Sequence, residues 1–565
     1  MKFYFEIDTK EKRKSKSKSK KNTKTFSSKT CRIHPYHNFF LFKKIKTLLI
    51  LIFISFLYLG AVKISGAKNI FSTIFSLPSV FYKLVSFFMP SQSSLTYLDK
   101  ILKSYVRSLL IAISSTTFAS VVALILAIFS STTSKDGNIC SRLFSFCIRG
   151  FASLCRNIPL PAWVILFLFS FGQNELTGFL VLFIVSFGYL TRIFREIIEE
   201  DSYASFIALR AMGIPYFSAI TQGILPNIRG KFIAWLLYTL ATNIRDSSLV
   251  GILTGHGVGF LFNLFFRSFR YDAVGLLVII LSITVLIFDF FAIKIREFIL
   301  SRDALYFELK KRLSRIIFYF LLLISCLSVF FIDGGDKSIK NVLMSLVTNI
   351  NDMFFKFYGT PNFSFASLLY SSLVSLALAF LATFISIIIS LPIAMLNTKH
   401  VFKMNAIGYI INAISSCIRS IPTIIWVMLF SLCIGVGAKA TIIGLSLHSI
   451  AYLVYAFSMS FDSVDITSLE GIKSVGASGP IVFFRAMWPL SLKSIISWSF
   501  FRFEINFMNG VALGSVAGAG GIGYELFIAG SMEFDVKGVG LISYVLLFIC
   551  LMLESISNKL KKSGQ

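Results

Sequence analysis

Arg156 to Gly172 reads RNIPLPAWVILFLFSFG, and Arg419 to Gly435 reads RSIPTIIWVMLFSLCIG. The two stretches stand 263 residues apart, and Arg156, Ile158, Pro159, Trp163 and Gly172 of the first recur as Arg419, Ile421, Pro422, Trp426 and Gly435 of the second. Farther along, at the same offset and without a gap, Tyr189, Gly213, Pro226, Trp235, Asn243 and Gly251 recur as Tyr452, Gly476, Pro489, Trp498, Asn506 and Gly514. Eleven matches at one spacing that include Trp, Pro and Gly do not follow from shared apolar composition, which would match Leu, Ile and Phe instead. One unit has been duplicated within the chain.

Composition says what kind of unit it is. Of the 565 residues 56% are hydrophobic, 62 are Phe, and the mean hydropathy is +0.78. Several apolar runs reach the roughly 20 residues that a helix needs to cross a bilayer. The expected fold class is therefore all-α, a polytopic membrane protein. The net charge of +28 is no sign of nucleic-acid binding, because nine of the fifteen residues from Lys10 to Lys24 are Lys or Arg in a tail with no folded basic domain. Lys43, Lys44 and Lys46 then border the first apolar run, a pattern that holds this end inside and attracts anionic membrane lipid. More than 45 residues precede the run from Thr47 to Val62, which reads as an uncleaved anchor. The eight cysteines include no Cys-x-x-Cys pair and read as packing residues. His34 and His37 lack the Cys or acidic partners a metal site needs, so no metal is expected.

Apolar segments fall near 47–62, 107–131, 148–172, 176–195, 228–254 and 273–293, then near 314–332, 364–396, 405–434, 438–460, 490–513 and 538–556. This predicts about 12 transmembrane helices as two parallel six-helix repeats, since an even number per copy preserves orientation. The divisions are a basic cytoplasmic tail 1–46, repeat 1 at 47–300, a cytoplasmic linker 301–313 and repeat 2 at 314–565. The basic residues of the link, Lys294, Arg296, Arg302, Lys310, Lys311, Arg312 and Arg315, and those of the carboxyl end, Lys559, Lys561 and Lys562, place both on the inside. Lys63 to Val106 and Asp333 to Phe363 become long external loops.

Between the fourth and fifth helices of each repeat lies a polar stretch. It runs Ala208, Leu209, Arg210, Ala211, Met212, Gly213 and, after nine residues, Gly223, Ile224, Leu225, Pro226; its copy runs Glu470, Gly471, Ile472, Lys473, Ser474, Val475, Gly476 and, after nine residues, Ala486, Met487, Trp488, Pro489. This spells a short helix, a bend that glycine permits, and a second short helix ended before Pro. The spacing resembles the signature of binding-protein-dependent ABC transporter permeases. The resemblance implies that the stretch forms coupling helices docking on ATP-hydrolysing subunits, with Ala208, Gly213, Pro226, Glu470, Gly476 and Pro489 in the docking surface. Ile207 stands where the family has an acidic residue, Gly471 replaces an Ala, and Ala486 with Trp488 replaces Ile and Leu, so the two loops need not couple equally.

Arg502, Phe503, Glu504, Ile505, Asn506, followed by Gly514 to Gly523 and Glu525 to Phe527, together with Arg419, Ser420, Ile421, Pro422 and Trp426, resemble the phosphonate-type subfamily. The likeness covers about residues 366–556 closely and 103–293 in weaker form. It implies a type I ABC importer permease fold, two ATP-binding subunits, an extracellular solute-binding protein and a small anionic solute, with ATP on the partner subunits and no cofactor in this chain. Because both cores are fused, no homodimer is required. Gly518, Gly520 and Gly523 also satisfy Gly-x-Gly-x-x-Gly, but a turn between membrane helices lacks the strand and acidic residue of a dinucleotide site. With Gly521, these glycines are either a tight structural turn or part of the solute path.

Ionisable residues inside membrane helices mark pathways or buried pairs. Arg245, Asp246, Arg502 and Glu504 are such residues, and they do not align between copies, as suits one asymmetric ligand. Arginine's planar fork matches an oxyanion; pairing of Arg245 with Asp246, or of Arg502 with Glu504, is the alternative. Asn243 and Asn506, matched in both copies, suit interhelical hydrogen bonds. Arg156 and Arg419, each three residues before a Pro, could hold carbonyls freed by it or guide anion exit. No Gly-x-x-x-x-Gly-Lys-Ser/Thr loop occurs, so the chain is not expected to hydrolyse ATP itself. No catalytic cluster converges on its five histidines, and an enzyme is not expected. A self-sufficient secondary transporter is the rival reading, against which stand the two loops and the lack of a run of membrane carboxylates.

Overall fold

The computed structural model describes residues 55–564, apart from short stretches at 68, 71–72, 74–76, 137–138, 302–306, 336–338, 357–362 and 399–404. The basic tail 1–46 and part of the linker lie outside the described residues. Repeat 1 comprises α1 Ser55–Ser65, α2 Leu77–Phe88, α3 Leu98–Asp136, α4 Ile139–Asn157, α5 Leu160–Phe171, α6 Glu175–Ile197, α7 Tyr203–Ala211, α8 Leu225–Thr254, α9 Gly257–Arg267 and α10 Tyr271–Leu300. Repeat 2 comprises α11 Phe307–Val329, α12 Ile339–Phe354, α13 Phe365–Leu396, α14 Asn405–Ser420, α15 Thr423–Ile434, α16 Ala438–Asp462, α17 Ile466–Lys473, α18 Trp488–Val516, α19 Ile522–Phe527 and α20 Val536–Gly564. No strand occurs among the described residues.

Among the described residues, seven helices are long and apolar enough to cross a membrane, and up to ten spans result if each of three bent pairs counts as one. Two of the twelve expected segments fail that measure for separate reasons. Within the first, α1 is described only from Ser55; α18 is 29 residues long but carries Lys493, Arg502 and Glu504. The expected external loops are not irregular. They contain α2 and α12, and α3 starts nine residues before the apolar run; at 39 residues it is about 58 Å long, well beyond the roughly 30 Å of a hydrocarbon core.

The segments around Pro159 and Pro422 are not straight. Arg142–Asn157 and Leu160–Phe171 meet at 95°, and Ala406–Ser420 and Thr423–Ile434 at 88°. Proline has no N–H to offer the carbonyl four residues earlier. That carbonyl is taken by an indole: Trp163 Nε1 donates to Cys155 O at 3.1 Å, and Trp426 Nε1 to Ile418 O at 3.1 Å. The carbonyl-holding role expected of the arginines therefore falls mainly to the tryptophans, because only a ring four residues past the Pro folds back over the break. Arg419 adds a bond to Ser415 O at 3.3 Å.

The outer elements cross between repeats. Tyr58 of α1 lies 5.5 Å, ring to ring, from Phe384 of α13, and Phe81 of α2 meets Phe430 of α15. In return Phe318 of α11 packs on Phe232 of α8 and Phe354 of α12 on Trp163. Within each repeat the tightest helix pairs are lined by small side chains: Ala112, Ala119, Ala123 and Ala127 of α3 against α6, and Ala379, Ala382 and Ser386 of α13 against α16 are all fully buried. Small residues let helices approach where lipid supplies no hydrophobic drive.

Candidate functional site

The loop between α6 and α8 has the same build as the loop between α16 and α18. Gly213 and Gly476 take φ of +81° and +80°, a left-handed conformation that side chains resist, and each ends a short helix, α7 or α17. A π-helical turn follows at Ile220–Ile224 and again at Phe483–Met487, each running into a helix with Pro near its start, Pro226 or Pro489. Ala208, Gly213, Pro226, Glu470, Gly476 and Pro489 are all exposed. Beside the glycines, Met212 is 68% and Val475 81% exposed. Both loop surfaces carry both signs: Glu200, Asp201 and Arg210 are exposed on the first, Asp465, Glu470, Lys473 and Arg485 on the second.

Asn243 and Asn506 sit at matching crossroads. Asn243 Nδ2 donates to Thr116 Oγ1 at 2.7 Å and to Ser186 Oγ at 2.6 Å, joining α8 to α3 and α6. Asn506 Nδ2 donates to Thr383 Oγ1 at 2.9 Å, while its Oδ1 accepts from Ser449 Oγ at 2.9 Å, joining α18 to α13 and α16.

The ionisable residues part from this symmetry. Arg245 of α8 pairs with Asp289 of α10 at 3.1 Å, not with its neighbour Asp246. Arg502 is 2% exposed; its Nε donates to Ser449 Oγ at 2.8 Å, its Nη2 lies 2.9 Å from His448 Nδ1, and its guanidinium stands 5.3 Å from the Tyr452 ring centroid. Glu504, two positions on and so on another face of the helix, lies within electrostatic reach of Cys550 on α20. Arg419 covers the Tyr455 ring at 5.4 Å and lies in the field of Arg245 and Asp289; His448 lies in the field of Arg502, Arg245 and Arg419. Three guanidiniums, one from repeat 1 and two from repeat 2, thus gather around half-buried His448, with Tyr452 beside Arg502 and Asp289 ion-paired to Arg245.

Arg156, the counterpart of Arg419, is placed otherwise. Its Nη2 donates to both carboxylate oxygens of Glu554 at 2.6 and 2.8 Å. Asn157 and Arg192 bond the same carboxylate, and Arg192 also reaches Asn558 at 3.2 Å. This ties α4 and α6 of repeat 1 to α20 of repeat 2.

The Gly-rich turn is a packing device. A Cβ on Gly523 would lie 1.9 Å from Val511 O, and one on Gly259 of repeat 1 would lie 1.9 Å from Ser248 O, so only glycine lets α19 and α9 fold back onto α18 and α8. Ser375 Oγ accepts from Ile522 N at 3.0 Å, and Ser108 Oγ from Val258 N at 2.8 Å. Gly518, Gly520 and Gly521 all have positive φ. The nearest neighbours of Gly518, Gly521 and Gly523 are Val436, Ser375 and Val511, all outside the arginine cluster.

Sequence reasoning named Arg245 and Arg502 but missed His448 and Asp289. The signal for His448 was a lone His in an apolar run opposite Val185 of the first copy. Asp289 carried the same signal as Arg245, an ionisable residue inside the apolar run 273–293, but its partner lies on another helix. Among the described residues no group of His, Cys, Asp and Glu could hold a metal ion.

The model of the family described as binding-protein-dependent transport system inner membrane component matches residues 138–302 and 392–557, more than half of the chain. The phosphate-import permease protein PhnE of Mycolicibacterium smegmatis is 27% identical over 461 residues, covering 80% of this chain and 84% of the relative. The phosphite transport system permease protein PtxC of Stutzerimonas stutzeri is 27% identical over 204 residues, 36% of this chain and 73% of its own. Among solved structures, an inward-facing MetNI methionine ABC transporter chain matches over 36% of this chain and all of its own, at 17% identity and a TM-score of 0.33, too low to carry an argument. The chain belongs to the binding-protein-dependent transport system inner membrane component family, as a multi-pass membrane protein holding two copies of the domain.

Proposed function

We propose that this chain is the complete transmembrane part of an ABC importer for a small phosphorus oxyanion, such as phosphonate, phosphite or a phosphate ester. The observation that carries the reading is the gathering of Arg245, Arg419 and Arg502 around His448, with a single carboxylate, Asp289, paired to Arg245. A guanidinium offers a planar fork of donors to an oxyanion, and charge held at this depth is costly without a ligand or a water-filled path. The names of the phosphate and phosphite relatives agree.

On this reading two ATP-binding subunits dock on the Gly213 and Gly476 loops, and ATP is bound and hydrolysed there. This chain performs no chemistry and holds no cofactor. An external solute-binding protein delivers the anion at the opposite face, and both termini of the chain lie in the cytoplasm of a cell whose plasma membrane it spans. Fusion of the repeats removes the need for a second copy.

Native mass spectrometry of the gently solubilised complex tests the assembly. Two ATP-binding subunits per chain are expected; a lone or self-paired chain would sink the reading in favour of a secondary carrier. Uptake of labelled phosphate, phosphite and methylphosphonate by cells expressing the complex tests the solute, and uptake of none of them would refute the oxyanion assignment.

A further inference from the structure

The two interfaces between the repeats begin from equivalent residues and end with different charge. On one, Glu554 is held by both Arg156 and Arg192, and its side chain is only 10% exposed. On the other, Arg419 replaces Arg156 by position and Asp289 of α10 stands in the place of Glu554, the register in which Val274, Gly275 and Leu276 meet Val539, Gly540 and Leu541, but Tyr455 stands in the place of Arg192. Among the described residues Arg419 makes no ion pair within 4 Å; it bonds Ser415 O and the Ser416 hydroxyl, each at 3.3 Å, and covers the Tyr455 ring. The carboxylate of this second interface, Asp289, comes from α10 and is given to Arg245. Arg502 adds a third cation whose bonds go to the neutral groups Ser449 and His448. Because Arg502 donates to Nδ1 of His448, that nitrogen carries no proton, and the neutral ring has its N–H on Nε2.

We propose that this second interface is a single anion station, formed by Arg419, Arg502 and His448 of repeat 2 with Arg245 of repeat 1, and that Asp289 is its built-in counter-anion, displaced from Arg245 by a tetrahedral oxyanion. The station's chemistry fits the ligand. Arg419 and Arg245 offer forked donors, and the neutral His448 offers an N–H that favours an acceptor of any charge. Arg502, fixed by Ser449 and covered by Tyr452, supplies a charge that does not move. Asp289 has the part of an occupant: its side chain is 30% exposed and that of Arg245 21%, so the pair borders accessible space, which among membrane helices means a water-filled path and not lipid. Asp246 also lies in the field of Arg245 but, among the described residues, makes no ion pair within 4 Å, so Asp289 is the carboxylate a ligand has to replace. A resident carboxylate neutralises the site while it is empty and raises the threshold for weakly charged solutes. The interface at Glu554, with its carboxylate held by two guanidiniums, is a tie between repeats and not a second station.

This inference rests on the oxyanion reading, and one experiment separates their failures. Equilibrium binding of labelled inorganic phosphate, with methylphosphonate as competitor, is measured on the full chain in nanodiscs. Asp289→Asn is expected to tighten binding about tenfold, the effect of removing one nearby like charge. Arg502→Lys and Arg419→Gln are expected to weaken it by tenfold or more, and Arg156→Gln to leave it unchanged. Weaker binding in Asp289→Asn would overturn the counter-anion, and equal losses in Arg156→Gln and Arg419→Gln would overturn the single station. If Asp289→Asn does not give monodisperse protein, Arg419→Gln decides, and unchanged binding there rejects the station. Cellular uptake is measured in parallel. Uptake that persists while none of these variants alters binding rejects the station and keeps the importer. The stated binding pattern without uptake of any phosphorus oxyanion supports the station and rejects the transported solute.

Discussion

Gly213 and Gly476 have open space where a Cβ would stand, so their left-handed φ is the whole obstacle to a side chain. Alanine at either position should therefore cost about 1–2 kcal/mol of local conformation and leave solute-dependent ATP hydrolysis largely intact. Aspartate tolerates this conformation better than alanine, yet it puts a charge beside exposed Met212 or Val475. Gly213→Asp and Gly476→Asp should abolish the stimulated hydrolysis while membrane insertion stays normal; normal stimulation in both would reject these loops as the docking surface. One more residue makes a pH prediction here. Asp465 caps α17, and hydrogen bonds from the Thr467 hydroxyl and backbone N–H hold its carboxyl below the usual carboxylate range. A carboxyl depressed on folding stabilises above its unfolded value of about 3.9, and that help is lost as pH falls through the lower folded value. Amide exchange in residues 466–473 should thus rise, relative to α7, only at acid pH, and Asp465→Ala should remove that pH step. α7 is the internal reference because Ser202 makes no such side-chain cap.

At the scale of elements, the two asparagine crossroads have equal geometry and unequal consequence. Asn506 holds Ser449, and Ser449 in turn holds Arg502, whereas Asn243 holds Thr116 and Ser186, which among the described residues bond no arginine. Each interhelical bond in a membrane is worth about 0.6 kcal/mol on average, so Asn243→Ala and Asn506→Ala should lower the melting temperature alike. Only Asn506→Ala should also raise the KM for uptake. Equal effects on KM would detach Asn506 from the anion site. The crossroads were legible in the sequence because the same Asn appears in both copies, and so was the break at Pro159 and Pro422. The tryptophan that closes each break was visible as a repeated residue but not as a donor, since its target carbonyl is set by a bend near 90°. The partners of His448 and Asp289 were illegible for a related reason: a contact between α8 and α10, or between α16 and α18, leaves no spacing in the chain. The helices within the external loops escaped because apolar run length detects spans and misses helices that pack on them.

At the scale of the whole molecule, fusion and crossing of the outer elements bind the repeats twice over. With α1 and α2 on repeat 2, and α11 and α12 on repeat 1, co-expressed halves divided within 302–306 should copurify as one particle; independent halves would contradict the crossed packing. The crossing could not be read from the sequence, since the first helix of each repeat lies outside the span where the copies match. The tie at Glu554 adds a polar lock. Glu554→Gln leaves Arg156 without a carboxylate, while Arg192 retains Glu196 at 2.8 Å. Removing one partner of a mostly buried ion pair costs about 3 kcal/mol, and thermal unfolding in detergent should show it. The double variant Arg156→Met with Glu554→Met removes both charges together, and a buried pair replaced by apolar groups of like volume is often neutral, so it should recover most of the loss. If the lock served only stability, the double variant would also restore uptake. If α20 must release Arg156 and take it back in each cycle, stability should return and uptake should not. Comparing melting temperature with uptake in the same two variants separates these outcomes, and it does so at an interface whose counterpart carries the proposed anion station.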